Sequence, residues 1–204
     1  MDPNVWGPPM WNLLFDLSIK CSDEKYDDVV LLFRLMEHVL PCRDCRKSLV
    51  DFRKKIELRM TPEDPTSTVR WLWVVRDMVN QKLGHTSISL DKLQARHSAL
   101  TMVSSESSIL DVLTMISLAM KQSRASKIQQ TIECVQRLTT VAYPCFQIVR
   151  SLAPVSGMSK EATTDMLYDA RLRWCKQTGA SHPTRAAWEA QFAHFDVAFG
   201  ASTK

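Results

Sequence analysis

The chain has 204 residues, 45% of them hydrophobic and 24% charged, with a formal net charge of +4. That is an ordinary globular composition, long enough for one large or two small domains; it excludes an intrinsically disordered chain and gives no reason to expect a nucleic-acid partner. No apolar run approaches the ~20 residues that cross a bilayer, since the richest stretch, 29–40, carries Arg34, Glu37 and His38. Residues 1–20 show neither a basic leader nor an uninterrupted apolar core, so the expectation is a chain without a membrane span, made in the cytoplasm.

Five glycines, no Asn-Gly or Asp-Gly hairpin signal, and apolar residues recurring at three and four predict an all-α fold. After the turn-like Trp6-Gly7-Pro8-Pro9, a first helix is predicted to about Lys20, with Trp11, Leu14, Phe15 and Ser18 along one stripe. A second, over 26–40, aligns Val29, Leu32, Phe33, Met36 and Leu40. Its other flank carries Val30, Leu31, Leu35 and Val39, so burial on more than one side or a subunit contact is expected. Pro41 stops it, and a third helix runs from Cys42 to Met60, followed by a loop over 61–65. Thr66 or Ser67 would cap a fourth helix ended by Gly84, whose stripe includes Leu72, Arg76, Val79, Asn80 and Leu83. A short fifth helix over 90–97 closes a first domain, 1–97.

The serine-rich stretch 98–108 reads as a linker. A second helical domain, 109–204, is predicted with helices over 109–122, 127–142, 145–152, 160–176 and 184–199. Residues 29–42 (VVLLFRLMEHVLPC) and 132–145 (IECVQRLTTVAYPC) share an Arg-Leu and a Pro-Cys, which suggests that the second domain is a degenerate repeat of the first. Its copy lacks the second cysteine, because Phe146-Gln147-Ile148 follows Cys145. Such a repeat would form an internal pseudo-dimer; otherwise a homodimer is expected. The cations Lys121, Arg124 and Lys127 read as a solvated face.

Six cysteines, at 21, 42, 45, 134, 145 and 175, are too sparse and irregular for a secreted disulfide framework. Only Cys42 and Cys45 have a spacing with chemical meaning. At a helix start, the positive end of the dipole and free backbone N–H groups favour a thiolate, and Arg43 and Arg46 add positive charge. A zinc half-site is the competing reading, but no second pair stands at ligand spacing, and His38 reads as a surface or core histidine. Inert buried cysteines are the third reading, and the default for Cys134, Cys145 and Cys175. A redox pair in an all-α chain is not a thioredoxin fold and needs a cofactor to take its electrons; a flavin is the obvious one.

Three segments in order carry a family resemblance: Trp6-Gly7-Pro8-Pro9-Met10-Trp11-Asn12-Leu13-Leu14-Phe15, Leu40-Pro41-Cys42-Arg43-Asp44-Cys45, and Arg76-Asp77-Met78-Val79-Asn80-Gln81-Lys82-Leu83-Gly84. Over residues 6–97 the chain resembles the Erv/ALR family of FAD-linked sulfhydryl oxidases, whose pattern is Gly-x-x-x-Trp-x-x-Leu-His, Pro-Cys-x-x-Cys and His-Asn-x-Val-Asn-x-x-Leu-Gly. The resemblance implies a four-helix bundle with a short fifth helix. It implies that Cys42 exchanges with substrate thiols and that Cys45 lies against FAD. Gly7, Trp11, Leu14, Phe15, Arg76, Val79, Asn80 and Leu83 would hold that cofactor, and no metal is implied. The partners implied are thiol-containing protein substrates or a thioredoxin-like or small redox carrier, with oxygen as final acceptor and hydrogen peroxide as product.

Two departures stand out: Phe15 where the family has His, and Arg76-Asp77 where it has His-Asn. A guanidinium can stack on adenine or pair with phosphate, so Arg76 can replace the imidazole. The departures and the opening Met1-Asp2-Pro3 are similar to the poxviral branch, implying a large DNA virus, with host cytoplasm or virion as location. The 90–97 stretch lacks the family's adenine-stacking tryptophan, a role His97 could fill, and 84–88 lacks its second structural cysteine pair. The rival expectation is a viral assembly scaffold that has kept the fold and lost flavin through Phe15 and Arg76.

Overall fold

The computed structural model describes residues 3–21, 24–56, 65–118, 125–155 and 157–200. Its elements are all helical: α1 (Pro3–Cys21), α2 (Tyr26–Val39), α3 (Arg43–Lys55), α4 (Pro65–Leu83), α5 (Leu90–Ser98), α6 (Met102–Leu118), α7 (Ala125–Ala142), α8 (Gln147–Arg150), α9 (Lys160–Thr178) and α10 (Arg185–Gly200). Among the described residues no strand occurs, as the glycine-poor, three-four patterned sequence predicts.

Several boundaries differ from the sequence reading. α1 starts at Pro3 and runs straight through the expected turn, with Pro8 and Pro9 inside it. Proline φ is helical, and the cost of an interior proline, a lost N–H and a ring against the carbonyl four residues back, is offset by burial of Trp6 and Met10 on the core side. α4 begins on Pro65 itself, ahead of the expected caps, a position where a missing N–H leaves no intrahelical partner wanting. α3 closes at Lys55 with Ile56 as its cap, and the remainder of the predicted third helix and its loop, 57–64, lie outside the described residues, as do Lys121 and Arg124.

The expected linker is the largest difference, because α6 begins at Met102. Thr101 Oγ1 accepts a bond from the Ser104 N–H at 3.3 Å, an N-cap that turns the serine run into a helix start. Ser105 and Glu106 are then buried with Ile109 and Leu110.

Two five-helix units follow one another with the same packing order. α1 packs on α2, α4 and α5, while α3 bridges α2 and α4; α6 packs on α7, α9 and α10, while α8 bridges α7 and α9. Small details repeat as well. Ser18 Oγ donates to the Leu14 carbonyl (2.5 Å) and Thr114 Oγ1 to that of Leu110 (2.8 Å). Arg46 reaches back to the Leu40 and Pro41 carbonyls, and Arg150 to that of Pro144. Gly84 (φ 73°) and Gly179 (φ 72°) follow α4 and α9, where a left-handed residue ends a helix and a side chain would be strained.

The units share one core. α1 lies along α6 and α2 along α7, like helix on like helix, and these are the most extensive contacts in the molecule. This seam explains the two apolar flanks of α2, which buries Val29, Leu32, Phe33, Leu35, Met36 and Val39. Polar ties cross it: Arg137 pairs with Asp28 (2.8 Å), and Lys20 bonds the Tyr143 hydroxyl (2.6 Å) while pairing with buried Asp16 (2.8 Å). Cys21 and Cys134 belong to the same seam, donating to the Leu138 and Asp28 carbonyls. Burial, first of all, pushes both thiols up to about 12, so they are packing groups rather than nucleophiles.

Candidate functional site

Cys42 is the N-cap of α3, with extended backbone, and Cys45 lies in the first turn. A two-residue spacer across that turn brings the Cα atoms to 5.2 Å, and the two sulfurs are joined as a disulfide. The Cys45 backbone N–H points at Cys42 Sγ (3.2 Å), the arrangement in which a free helix-start donor would stabilise a Cys42 thiolate.

α3 has no fully buried residue, so polar ties do much of its positioning. Arg53 holds Glu37 of α2 through both guanidinium sides. Arg46 donates to the Leu40 carbonyl at 2.5 Å, bracing the Pro41 corner, and Lys82 of α4 donates to Ser48 Oγ at 2.6 Å. The disulfide is thereby fixed between α2 and α4 although its helix contributes little to the core.

It forms part of the wall of a cavity of about 610 Å³ in the first unit. Its lining is apolar and aromatic at Trp11, Leu14, Phe33, Met36, Trp71 and Val75, and polar or charged at Glu37, Asp44, Arg76, Asn80, Lys82, His85 and Arg96. Of the residues expected to hold a cofactor, Gly7, Trp11, Leu14, Arg76, Val79, Asn80 and Leu83 line this cavity together with Cys42 and Cys45. α1 and α4 pack directly on each other, which is why their separate stripes meet here.

Phe15 is placed differently from expectation. It is fully buried one layer behind the wall, tilted against Trp11 (6.1 Å between centroids) and His97 (5.5 Å), with the Arg76 guanidinium 5.7 Å from its ring. Its part is to support Trp11 and Arg76. His97 shares that layer at 3% exposed, so it is not presented to the cavity for stacking on adenine. Burial first, then the charges of Arg96 and Arg76, lowers its imidazole to about 4 and keeps it neutral.

Arg76 and Arg96 oppose one another in this lining. Arg76 is held below the usual guanidinium range by burial and next by the charge of Arg96, and its buried Nε has no hydrogen-bond partner. Two like charges beside one cavity, one with an orphaned donor, match a bound anion such as a diphosphate. An elongated ligand with an aromatic end and an anionic middle fits the residues present, and FAD is of that chemistry. Sequence reasoning missed Arg96, Lys82, His85, Phe33, Met36 and Trp71. Phe33, Met36 and Leu40 stood on one helical stripe leading to Pro41-Cys42, a usable signal; Arg96, on a short polar helix, had none.

The corresponding arginine of the second unit has partners within its own chain. Arg171 stands as far ahead of Gly179 as Arg76 does of Gly84, and it pairs with Asp111 (3.6 Å), bonds Ser107 Oγ (3.0 Å) and lies over the Trp174 ring (4.6 Å). The Trp174 indole donates to buried Glu106 at 3.0 Å. Cys145, after Pro144 as Cys42 is after Pro41, is exposed and unpaired, and Cys175 is buried. Among the described residues no group of three or more metal-ligating side chains is gathered, and no helix is long and apolar enough to cross a membrane.

Residues 8–98, a stretch that holds the disulfide and all of the cavity's lining but Trp6 and Gly7, match the model of the Erv1 / Alr family, which is that of FAD-linked sulfhydryl oxidases. No curated protein and no solved structure matches the chain.

Proposed function

We propose that the first unit is an FAD-dependent thiol oxidase that makes disulfide bonds in thiol-containing protein substrates, directly or through a thioredoxin-like or small redox carrier. The observation that carries this reading is one cavity wall shared by a Cys-x-x-Cys disulfide, a Trp11-bearing apolar face and the Arg76/Asn80 face. Trp11, Leu14 and Val79 would hold the ring system of FAD, Arg76 and Arg96 its diphosphate, and Gly7, Asn80 and Leu83 would complete the enclosure. When bound, FAD supplies a two-electron acceptor and the route of those electrons to oxygen, giving hydrogen peroxide.

The chain's own residues perform the thiol chemistry. A substrate thiolate attacks Cys42 Sγ, and the Cys45 sulfur leaves as thiolate. A second substrate thiolate then displaces Cys42, so two electrons pass from substrate to the pair. The Cys45 N–H aimed at Cys42 Sγ stabilises Cys42 as the leaving group of that second step.

The second unit is proposed as a degenerate, flavin-free copy that covers the α1/α2 face as a partner subunit would, giving one cofactor per chain. Four unpaired cysteines, one of them exposed, suit a reducing compartment such as the cytoplasm. The Phe15 and Arg76 departures support closeness to the viral branch. An absorption spectrum of the purified chain tests the reading most directly: flavin bands at one FAD per chain, with oxygen consumed on adding dithiothreitol, are expected. A colourless chain that stays inactive when FAD is supplied would leave a scaffold and sink the oxidase.

A further inference from the structure

α3, the helix that carries the disulfide, also carries the charge of the molecule. Its thirteen residues include six lysines and arginines against two aspartates, an excess equal to the +4 of the entire chain. The remaining residues are therefore balanced overall, and the positive excess is concentrated beside Cys42 and Cys45. Two of the six cations face inward, Arg46 onto the Leu40 carbonyl and Arg53 onto Glu37. Arg43, Lys47 and Lys54 are exposed and fall on one side of the helix, because steps of four and seven residues return to the same face, with exposed Asp51 between the two lysines as the one acid of that row. Arg43 and Lys47 begin this row in the first turns, where the helix dipole is positive and cations are unfavourable, so helix stability does not account for them.

We propose that this basic face receives an acidic, thiol-bearing segment of a protein substrate and directs its thiolate to Cys42, an inference that rests on the thiol-oxidase reading above. A nucleic acid would satisfy the charges but offers no sulfur to the disulfide they flank. The step is thiol–disulfide exchange: the segment's thiolate forms a bond to Cys42 Sγ, the Cys42–Cys45 bond breaks, and Cys45 departs as thiolate. Acidic side chains around the attacking thiol raise its local concentration at the basic face, and the same field favours the thiolate form.

The test needs no flavin. In the full chain carrying Cys45→Ser and Cys145→Ser, Cys42 is loaded with thionitrobenzoate, loading at that position alone being checked by mass. Release of the chromophore is then timed with single-cysteine peptides of equal length and acidic, neutral or basic flanks. Acidic peptides are expected to react at least about tenfold faster than basic ones at low salt. That ratio should fall toward one near 1 M salt, where the screening length is about 3 Å, and should invert in Lys47→Glu/Lys54→Glu. Because the readout is a ratio within one preparation, partial misfolding of the variant changes both rates alike. Equal rates for acidic and basic peptides, or a ratio unmoved by the charge reversal, overturn the proposal. A chain with the preference but no flavin sinks the oxidase reading alone; one that binds flavin and oxidises dithiothreitol without the preference sinks the basic face alone.

Discussion

Arg76 and Arg171 occupy the same place in two five-helix units, each the same number of residues before a left-handed glycine, and their guanidinium groups keep different company. Around Arg171 the chain supplies the countercharge itself, with Asp111 and Ser107, and fills the adjoining space with Trp174 bonded to Glu106. Around Arg76 it supplies a phenyl ring, a second cation and a cavity of about 610 Å³. One helix framework thus accommodates an arginine with a carboxylate partner in one unit and an arginine facing a second cation beside a cavity in the other. What separates them is a handful of side chains: Asp111 follows Leu110 where Phe15 follows Leu14, and a lone Cys145 follows Pro144 where a cysteine pair follows Pro41.

The comparison breaks most visibly at the cysteines. Cys45→Ser should lower oxidase turnover by more than about a hundredfold, since it removes the partner through which electrons leave Cys42. Cys145→Ser should leave it within about twofold, which oxygen uptake with dithiothreitol measures. The arginines come next. Loss of charge-assisted bonds worth about 1.5–3 kcal/mol predicts that Arg76→Ala weakens FAD binding by roughly ten- to a hundredfold in a fluorescence titration. Arg171→Ala should leave FAD affinity unchanged and instead lower stability, because half-buried Asp111 would lose its cation.

The seam allows a third test. Leu138 is fully buried where α7 meets the first unit, and Leu138→Ala should cost about 2–5 kcal/mol. The shared core makes both units unfold in one urea transition, with tryptophan fluorescence and helical dichroism coinciding; two separated transitions would show that the units are independent.

The smallest effect is one of pH. His97 has a folded value near 4, below its unfolded 6.5, so the unfolded chain binds the extra proton between those values. The stability contributed by neutral His97 is thus present above about pH 6.5 and lost as pH falls toward 4, by at most about 3 kcal/mol. Buried Asp16 and half-buried Asp111, whose values are raised, push the other way as pH falls toward the ordinary carboxylate range. A His97→Phe chain should therefore show a flatter stability profile between pH 6.5 and 4 than the parent.

Much of this was legible from residues alone. Helical periodicity predicted ten helices, most within a few residues of those observed, and proline-stopped α2 with its two flanks announced a second packing surface. Cys42 and Cys45 were identifiable because their chemistry is local: two thiols, a proline and a helix start lie within five residues. The repeated Arg-Leu and Pro-Cys pointed to two similar units, although the sequence cannot show that their like helices lie side by side. The linker and the first turn misled because serine and proline are weighed as breakers when burial is unseen; a Thr101 cap and the burial of Trp6 overrode them.

What the sequence by itself determined is the class of fold, the cysteine pair at a helix start and the two stripes on α1 and α4, since each depends on interactions within a turn or two of helix. Only the tertiary structure decided which members of those stripes face a cavity and which lie behind it, moving Phe15 and His97 into the supporting layer and bringing Arg96 beside Arg76. It also decided that Arg76 borders a large cavity while Arg171 is paired within its own unit. Depth and neighbouring charge depend on how helices far apart in the chain pack together, and no local pattern encodes that distance.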